Sequence, residues 1–365
     1  MKHVLSRGLA LAAIVVPAAV GAQTVTTKGG IGVTSDDGRF AFQLGARIHY
    51  DAYLFSDPEV DGVTVPRASG QSSGTEFRRA RVTLTGKAYG WSFKFEEVFA
   101  GEGVDERELW IGRDIGPGFL TLGQFKPFRS MEELTSSNEI LMMERPFSSA
   151  SGVFSGRQFQ QGVGYLIGRK DGRYTLGASA FTLRNDDSQR NEGVGFSSRG
   201  TYATPLVEGR GTVHFGGWYS LENTSSDPAS VGLTTRVGFA GRRSNVSSDP
   251  LQSGLIGTVI AGDSASTVGL ELAAAIGSFF LQAEQTWQRL GQGSTGSDQD
   301  VGARYVQIAY NFGQLRKAYK ADRGFFAAIK PVDRPVLELT ARYDTIENDD
   351  RADAPEAVAM TVGAN

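Results

Sequence analysis

Four basic side chains lie within residues 77–90 of this 365-residue chain, which read FRRARVTLTGKAYG. Arg79, Arg81 and Lys87 share one register with two threonines, and small or apolar residues occupy the other register. Successive side chains of a β-strand point to opposite faces, so this stretch predicts one cationic face and one apolar face. A row of cationic groups attracts anions, and arginine adds a planar fork that matches phosphate oxygens.

Cysteine and histidine, two residue types common at catalytic and metal sites, are absent or scarce. The chain has no cysteine, which excludes disulfides, thiolate catalysis and cysteine-based metal sites. Its three histidines are His3, His49 and His214, too few for a histidine-rich metal site. We therefore predict a protein that is not an enzyme and needs no cofactor or metal. The net charge of -3 excludes a globally basic nucleic-acid binder.

The N-terminus has the three parts of a secretory signal peptide. Lys2 and Arg7 form a positive region, residues 9–16 are apolar, and small residues precede Gln23. Residues 1–22 are therefore predicted to be a cleaved leader. No later stretch approaches the ~20 apolar residues that a membrane helix needs. A membrane location would require a closed β-barrel, because backbone groups cannot remain unpaired in lipid.

The alternation of apolar and polar residues extends over long stretches. Residues 40–54, FAFQLGARIHYDAYL, alternate throughout, and Arg47 lies on the polar side. Soluble strands average about five or six residues, whereas strands of about ten with a two-residue period are typical of membrane barrels. We predict an all-β protein, a transmembrane antiparallel β-barrel over residues 39–365, preceded by a short periplasmic segment at 23–38. The last alternating stretch stops at Asn365, so one or more C-terminal strands are expected to be missing.

One segment, residues 129–159, breaks the alternation. Its sequence predicts short helical turns at residues 131–134 and 140–144. Long loops within a regular domain usually carry function. We expect this loop to fold inward and narrow the channel; the alternative is an ordinary extracellular loop.

Taken in order, these segments resemble the phosphate-selective porin O and P family of Gram-negative outer membranes. The resemblance is carried by FRRARVTLTGKAYGWSFKFEEVFAG, LTLGQFKPF, MEELTSSNEILMMERPF and LELTARYDTIE. It implies a 16-stranded barrel that assembles as a homotrimer in outer-membrane lipid, with an inward loop that constricts each pore. It also implies a passive diffusion channel for small hydrophilic solutes, with a preference for inorganic anions of the phosphate type.

The resemblance and the basic strand face together predict the residues along the solute pathway. The family's arginine pair matches Arg78 and Arg79, its loop serines match Ser136 and Ser137, and its loop arginine matches Arg145. The full predicted set is Arg47, Arg78, Arg79, Arg81, Lys87, Lys126, Ser136, Ser137 and Arg145. Glu133 replaces a lysine of phosphate-specific members, so we expect it to disfavour phosphate.

Structural roles for the same residues stay open. Arg78 at a strand end would face headgroups or bulk water, the two serines would cap a helix, and Arg145 would pair with Glu132 or Glu144. Two other functions also stay open. One is an outer-membrane barrel enzyme of the lipase or protease type, and the other is a soluble secreted all-β binding protein.

Overall fold

The computed structural model describes residues 23–27, 30–54, 59–60, 63–64, 73–100, 105–184, 191–206, 209–224, 233–239, 256–291, 296–330, 332–348 and 356–365. The predicted leader, residues 1–22, lies outside them. Regular structure in the described part is almost entirely β-strand, with one helical turn, α1 (Met131–Leu134). No helix among these residues is both long and apolar enough to cross a membrane.

The strands follow one another along the chain as β1 (Gln23–Thr26), β2 (Ile31–Ser35), β3 (Phe40–Tyr53), β4 (Glu59–Val60), β5 (Val63–Thr64), β6 (Gly74–Ala88), β7 (Trp91–Val98), β8 (Asp105–Ile115), β9 (Gly118–Phe125), β10 (Gln160–Gly168), β11 (Tyr174–Arg184), β12 (Asn191–Pro205), β13 (Gly211–Thr224), β14 (Leu233–Phe239), β15 (Ile256–Gly262), β16 (Ser264–Ile276), β17 (Phe279–Gly291), β18 (Gln299–Asn311), β19 (Tyr319–Lys320), β20 (Phe325–Phe326), β21 (Glu338–Asn348) and β22 (Glu356–Ala364).

Sixteen of these strands form one antiparallel sheet, in the order β1-β2-β3-β6-β7-β8-β9-β10-β11-β12-β13-β16-β17-β18-β21-β22. Each strand of this sheet therefore pairs with the sheet strand that follows it in sequence. The remaining six strands, which lie between sheet strands along the chain, form three separate hairpins. The prediction of an all-β fold with sixteen antiparallel strands is confirmed. The segment 23–38, expected to precede the sheet, contributes β1 and β2 to it: β1 pairs with β2, and Ile31 on β2 pairs with Leu44 in the first half of β3.

The two faces of the sheet are inverted relative to a soluble protein. On β16, Val268 and Leu270 are 44% and 55% exposed, whereas Thr267 and Glu271 on the opposite face are buried. The same alternation continues on β17, β18 and β21. An apolar outer face with a polar inner face is the pattern of strands that contact lipid on one side.

Three connecting segments pack against the inner face. We call residues 129–159 the inner loop, the β14–β15 pair the inner hairpin, and residues 312–337 the return segment. In the inner hairpin, Thr235 Oγ1 donates to Gln288 Oε1 at 2.5 Å. The return segment starts at the same end of the sheet as the β16–β17 turn, since the N–H of Asn311 bonds to the Ser278 carbonyl at 3.2 Å.

The helical turn α1 confirms the first turn predicted in the inner loop. The second, at residues 140–144, is wrong: this stretch contains bends and no helix. Its carbonyl groups bond to the sheet instead, because Leu141 accepts from Asn365 Nδ2 at 3.1 Å and Glu144 accepts from Arg342 Nη1 at 2.8 Å.

Candidate solute pathway

A cavity of about 1690 Å³ lies between the inner loop and the inner face of the sheet. Within the described part of the chain, twelve basic and eight acidic residues line it. The basic residues are Arg47, Arg78, Arg79, Arg81, Lys94, Arg107, Lys126, Arg145, Arg199, Lys320, Arg323 and Arg342. The acidic residues are Glu76, Glu96, Glu106, Glu108, Glu139, Glu144, Asp322 and Asp344. When all are ionised, the lining carries an excess of four positive charges.

Pairing between β3 and β6 concentrates these cations on one wall. Arg47 lies opposite Arg81, and His49 lies opposite Arg79, with all four side chains in the inner register. Glu96 on β7 offsets part of this charge. Its carboxylate accepts from Arg47 Nη2 at 3.0 and 3.1 Å and from Arg81 Nη1 at 2.8 Å. Arg47 and Arg81 therefore face the cavity and share the Glu96 carboxylate as a counter-ion.

Arg78 reaches the cavity through a β-bulge. His49 pairs with Arg79 and Tyr50 pairs with Phe77, which leaves Arg78 as an extra residue on β6. A bulge bends the strand and re-aims a side chain that strict alternation would point to the other face. Arg78 Nε donates to Glu144 Oε1 on the inner loop at 2.6 Å. Arg78 thus lines the cavity and does not end the strand.

Lys126 and Arg145 bond to the backbone of the inner loop. Lys126 Nζ donates to the carbonyls of Glu133 at 2.7 Å and Thr135 at 3.1 Å. Arg145 donates to the same Thr135 carbonyl at 2.6 Å and to the carbonyl of Glu132. Both cations satisfy carbonyls at the end of α1, which have no partner within the helix. They line the cavity and also hold the loop in shape.

The loop serines have different environments. Ser136 Oγ accepts from the Asn138 N–H at 3.3 Å and closes a turn. Ser137 lines the cavity, and its hydroxyl has no hydrogen-bond partner in the described structure. The residue that caps α1 is Ser130, whose Oγ accepts from the Glu133 N–H at 3.1 Å. Capping therefore does not occupy Ser136 or Ser137.

Lys87 of the predicted set and Glu133, which was expected to disfavour phosphate, lie away from the cavity. Lys87 is exposed beside the β6–β7 turn and does not line the cavity. Glu133 is completely buried, and its Oε2 accepts from the Ala150 N–H at 3.1 Å. Its carboxylate therefore faces the interior of the inner loop, where it contacts backbone and not the cavity.

Carboxylates on three strands hold the inner loop to the sheet. Glu222 on β13 accepts from Arg129 Nη1 at 2.8 Å and from Arg157 Nε at 3.1 Å, so one carboxylate binds both ends of the loop. Glu284 on β17 accepts from the first two N–H groups of α1 at 3.2 and 2.7 Å. Asp344 on β21 accepts from the Phe147 N–H. The loop is thereby attached to several strands around the inner face.

The return segment is attached in a similar way. Arg199 on β12 donates to both oxygens of Glu271 at 2.8 Å and to the carbonyl of Gly324 at 2.6 Å. His214 Nδ1 lies 2.8 Å from Tyr319 Oη. The two inner segments also contact each other, since Nζ of Lys320 on β19 lies 2.5 Å from an oxygen of Glu139 on the inner loop.

Several cavity-lining cations were not in the predicted set: Lys94, Arg107, Arg199, Lys320, Arg323 and Arg342. The alternation of apolar and polar residues in β7, β12 and β21 contains the signal for three of them. Arg107 is the extra residue of a second bulge, between Glu106 and Glu108 on β8, which no local pattern indicates. Lys320 and Arg323 belong to the return segment, whose inward packing depends on distant contacts.

Comparison with known proteins decides the family. Residues 42–365 match the family described as phosphate-selective porin O and P. The chain belongs to this family. Porin O of Pseudomonas aeruginosa is 26% identical over 394 residues, covering 99% of this chain and 87% of that protein. The family consists of channels and not enzymes, and its members lie in the outer membrane of Gram-negative bacteria. A barrel enzyme and a soluble secreted protein are thereby excluded.

Solved structures share the fold at low sequence identity. A loop-deletion mutant of OmpT, an outer membrane protein of Vibrio cholerae, is 12% identical, with a TM-score of 0.54 over 89% of this chain and 88% of that one. In-vitro folded OmpT in its trimer form is 10% identical, with a TM-score of 0.50 over 89% and 82%. Both outer-membrane proteins share the overall fold of this chain.

Proposed function

We propose that this porin is a passive, anion-preferring diffusion channel for small hydrophilic solutes. The observation that carries the proposal is the charge of the cavity lining, where twelve basic residues outnumber eight acidic ones. Rings of arginine and lysine favour anions over cations in a pore. No step of this transport needs a cofactor or an energy source, because solutes move down their own gradient.

The proposal includes closure of the sixteen-stranded sheet into a barrel and assembly as a homotrimer. An open sheet edge in lipid would leave backbone N–H and C=O groups unpaired, at several kcal/mol each, so a sheet in the membrane has to close. The trimer form of OmpT supports the assembly by analogy of fold.

Within the pathway, we assign the attraction of anions to Arg47, Arg81, Arg78 and Arg79. Ser137 lines the same cavity, but its hydroxyl oxygen is buried, so we assign it no part in attracting anions. Lys126 and Arg145 hold the loop and add to the positive potential, and Lys87, which lies outside the cavity, is assigned no role in anion selectivity. Glu133 is a structural residue of the inner loop in this proposal, because its carboxylate is buried.

The arginines are extensively paired, which argues for general anion preference over tight phosphate binding. Arg47 and Arg81 share Glu96, and Arg78 is held by Glu144. A phosphate ion would have to compete with these carboxylates for the same guanidinium donors. Anion attraction survives pairing because the net charge of the lining stays positive.

The test is the reversal potential of the channel in a planar bilayer under a KCl gradient. We expect a value on the chloride side, and only weak reduction of the current by millimolar phosphate. Arg81→Gln should move the potential toward zero, whereas Lys87→Gln, which removes a cation outside the cavity, should leave it unchanged. A cation-selective wild-type channel would overturn the proposal.

A further inference from the structure

We propose that the solute this porin favours is an amphipathic organic anion, in which a flat apolar ring lies next to a carboxylate. This inference rests on the anion-channel function proposed above and names its substrate class. It comes from a group of aromatic side chains that line the same cavity as the arginines. These residues, which we call the aromatic wall, are Trp110, Phe119, Phe125, Phe128 and Phe159.

Membrane insertion does not account for the position of these rings. On β8, Leu109 and Ile111 lie on the outer face and are about half exposed, whereas Trp110 between them points to the cavity. Transmembrane strands place apolar side chains toward lipid and polar ones toward the lumen. A tryptophan on the lumen side contributes nothing to contact with lipid, so its place among charged residues indicates a role toward solutes.

The rings lie against the backbone of neighbouring strands, over glycines. A Cβ atom added at Gly112 would lie 2.5 Å from the Phe119 ring. One added at Gly164 would lie 2.9 Å from the ring of Phe125 and 3.0 Å from that of Phe128. The distances of 2.5 and 2.9 Å are shorter than real Cβ contacts, so a side chain at either position would displace a ring. The rings therefore lie close to the wall and leave room in the cavity for a solute.

The rings also pack against one another. Trp110 and Phe119 are 6.1 Å apart at an interplanar angle of 83°, and Phe125 and Phe128 are 6.0 Å apart at 41°. These edge-to-face and tilted geometries are the ones that aromatic pairs prefer. A further ring can add to such a pair in the same way, whereas a phosphate ion has no apolar surface to offer.

Cations adjoin the rings closely enough for one small solute to contact both. Lys94 on β7 pairs directly with Trp110 on β8, on the same face, and opposite residues of adjacent strands have Cβ atoms about 4.5–5.5 Å apart. Glu108 joins the two, accepting from Lys94 at 2.7 Å and from Trp110 Nε1 at 3.1 Å.

A second cluster of the same kind surrounds the Phe159 ring. Arg107 Cζ and Lys126 Nζ both lie 5.6 Å from its centroid. Phe159 is only 7% exposed, so this cluster offers a solute mainly its two cations. Because the carboxylate partners of Lys94 and the arginines would have to be exchanged, the solute is expected to bind weakly and pass through, as transport requires.

The experiment measures how solutes reduce the chloride current of the full chain in planar bilayers. Benzoate supplies ring and charge, acetate the charge alone, benzyl alcohol the ring alone, and phosphate a multivalent anion. We expect benzoate to halve the current at roughly tenfold lower concentration than acetate or phosphate, from about two aromatic contacts. Benzyl alcohol should have little effect.

Variants of the aromatic wall then test its role. Trp110→Ala with Phe119→Ala should remove one of the two aromatic contacts and bring the tenfold benzoate-to-acetate ratio down to about threefold. Trp110→Leu removes the aromatic ring but keeps an apolar side chain, so it controls for collapse of the cavity. It should also reduce the benzoate-to-acetate ratio. Phe215→Ala is the matched control, because this ring is half exposed on the outer face; it should change nothing.

The outcomes separate the two proposals. A channel without chloride preference overturns the anion-channel function and this inference with it. A chloride-preferring channel on which benzoate and acetate act alike, or on which the alanine variants leave the ratio unchanged, overturns this inference alone. Block by maltose that is lost in the alanine variants would instead assign the aromatic wall to neutral sugars and also overturn it.

Discussion

Replacing Glu222 by glutamine should release the inner loop from the sheet. Glu222 is completely buried on β13 and binds Arg129 and Arg157, which lie near the two ends of the loop. Arg129 is also fully buried, and its guanidinium lies 3.7 Å from the centroid of the Phe154 ring. Glu222→Gln keeps the size of the side chain and removes the negative charge that both cations share.

The size of the effect follows from burial. Removing one partner of a buried ion pair costs about 3–5 kcal/mol, because the remaining charge stays uncompensated. Glutamine keeps one acceptor oxygen, so the lower limit, about 3 kcal/mol, is the better estimate. Glu284 and Asp344 still hold the loop backbone. The lost free energy therefore lowers the cost of local opening of the inner loop, and the population of molecules with an open loop should rise roughly a hundredfold.

Single-channel recording measures this opening. We expect Glu222→Gln to increase open-channel noise and to add brief excursions to higher conductance, with faster cleavage by trypsin after Arg129 or Arg157. The control is Asp298→Asn, which breaks a similar pair with Arg289 at 3.1 Å in which both side chains are about half exposed. Exposed pairs contribute about 0–1 kcal/mol, so the control should behave like the wild type.

The reasoning would be refuted by Glu222→Gln channels with the noise, conductance and trypsin resistance of the wild type. Such a result would mean that Glu284 and Asp344 hold the loop without help. If Glu222→Gln fails to fold, Glu222→Asp, which keeps the negative charge, is measured as well. Recovery of folding in Glu222→Asp would assign the defect of Glu222→Gln to the lost carboxylate.

Three further predictions follow from other parts of the structure. Glu96→Gln should shift the KCl reversal potential further toward chloride, because the guanidiniums beside it lose their shared counter-ion; an unchanged potential would show that this cluster lies off the pathway. Leu270→Arg, on the outer face of β16, should lower the free energy of unfolding in lipid vesicles by about 2–4 kcal/mol, and a neutral effect would place this strand away from the membrane core. Gly324→Ala should loosen the return segment and lower the thermal unfolding midpoint, since Gly324 has a φ of 70° and an added Cβ would lie 3.0 Å from Arg199 Nη1; an unchanged midpoint would show that the segment adjusts freely.

The strands and the orientation of their faces could be predicted from the sequence. Alternation over long stretches identifies strands such as β3 and β16, and the cost of placing charge in lipid decides which face is inward. The register of Lys94 on β7, for example, places it on the inner face beside Glu96. These features are local, because a two-residue period is a property of the backbone of a single strand.

Two bulges were beyond local prediction. Arg78 and Arg107 both reach the cavity as extra residues in their strands, against the face that strict alternation assigns to them. A bulge is defined by the register between two strands, so it depends on the pairing partner as well as on the residue itself.

By itself, the sequence determined the fold class, the sixteen-stranded antiparallel arrangement that the family resemblance implies, and the presence of a basic inner wall. Only the tertiary structure decided which charges remain available. Glu133 and Lys87 carry formal charges, yet the first is buried within the inner loop and the second lies outside the cavity. Glu96, Glu144 and Glu222 pair with cations that are 49, 66 and 93 residues away along the chain. Electrostatic interaction depends on distance in space, and in this sheet that distance is set by strand register and loop packing, which no local pattern encodes.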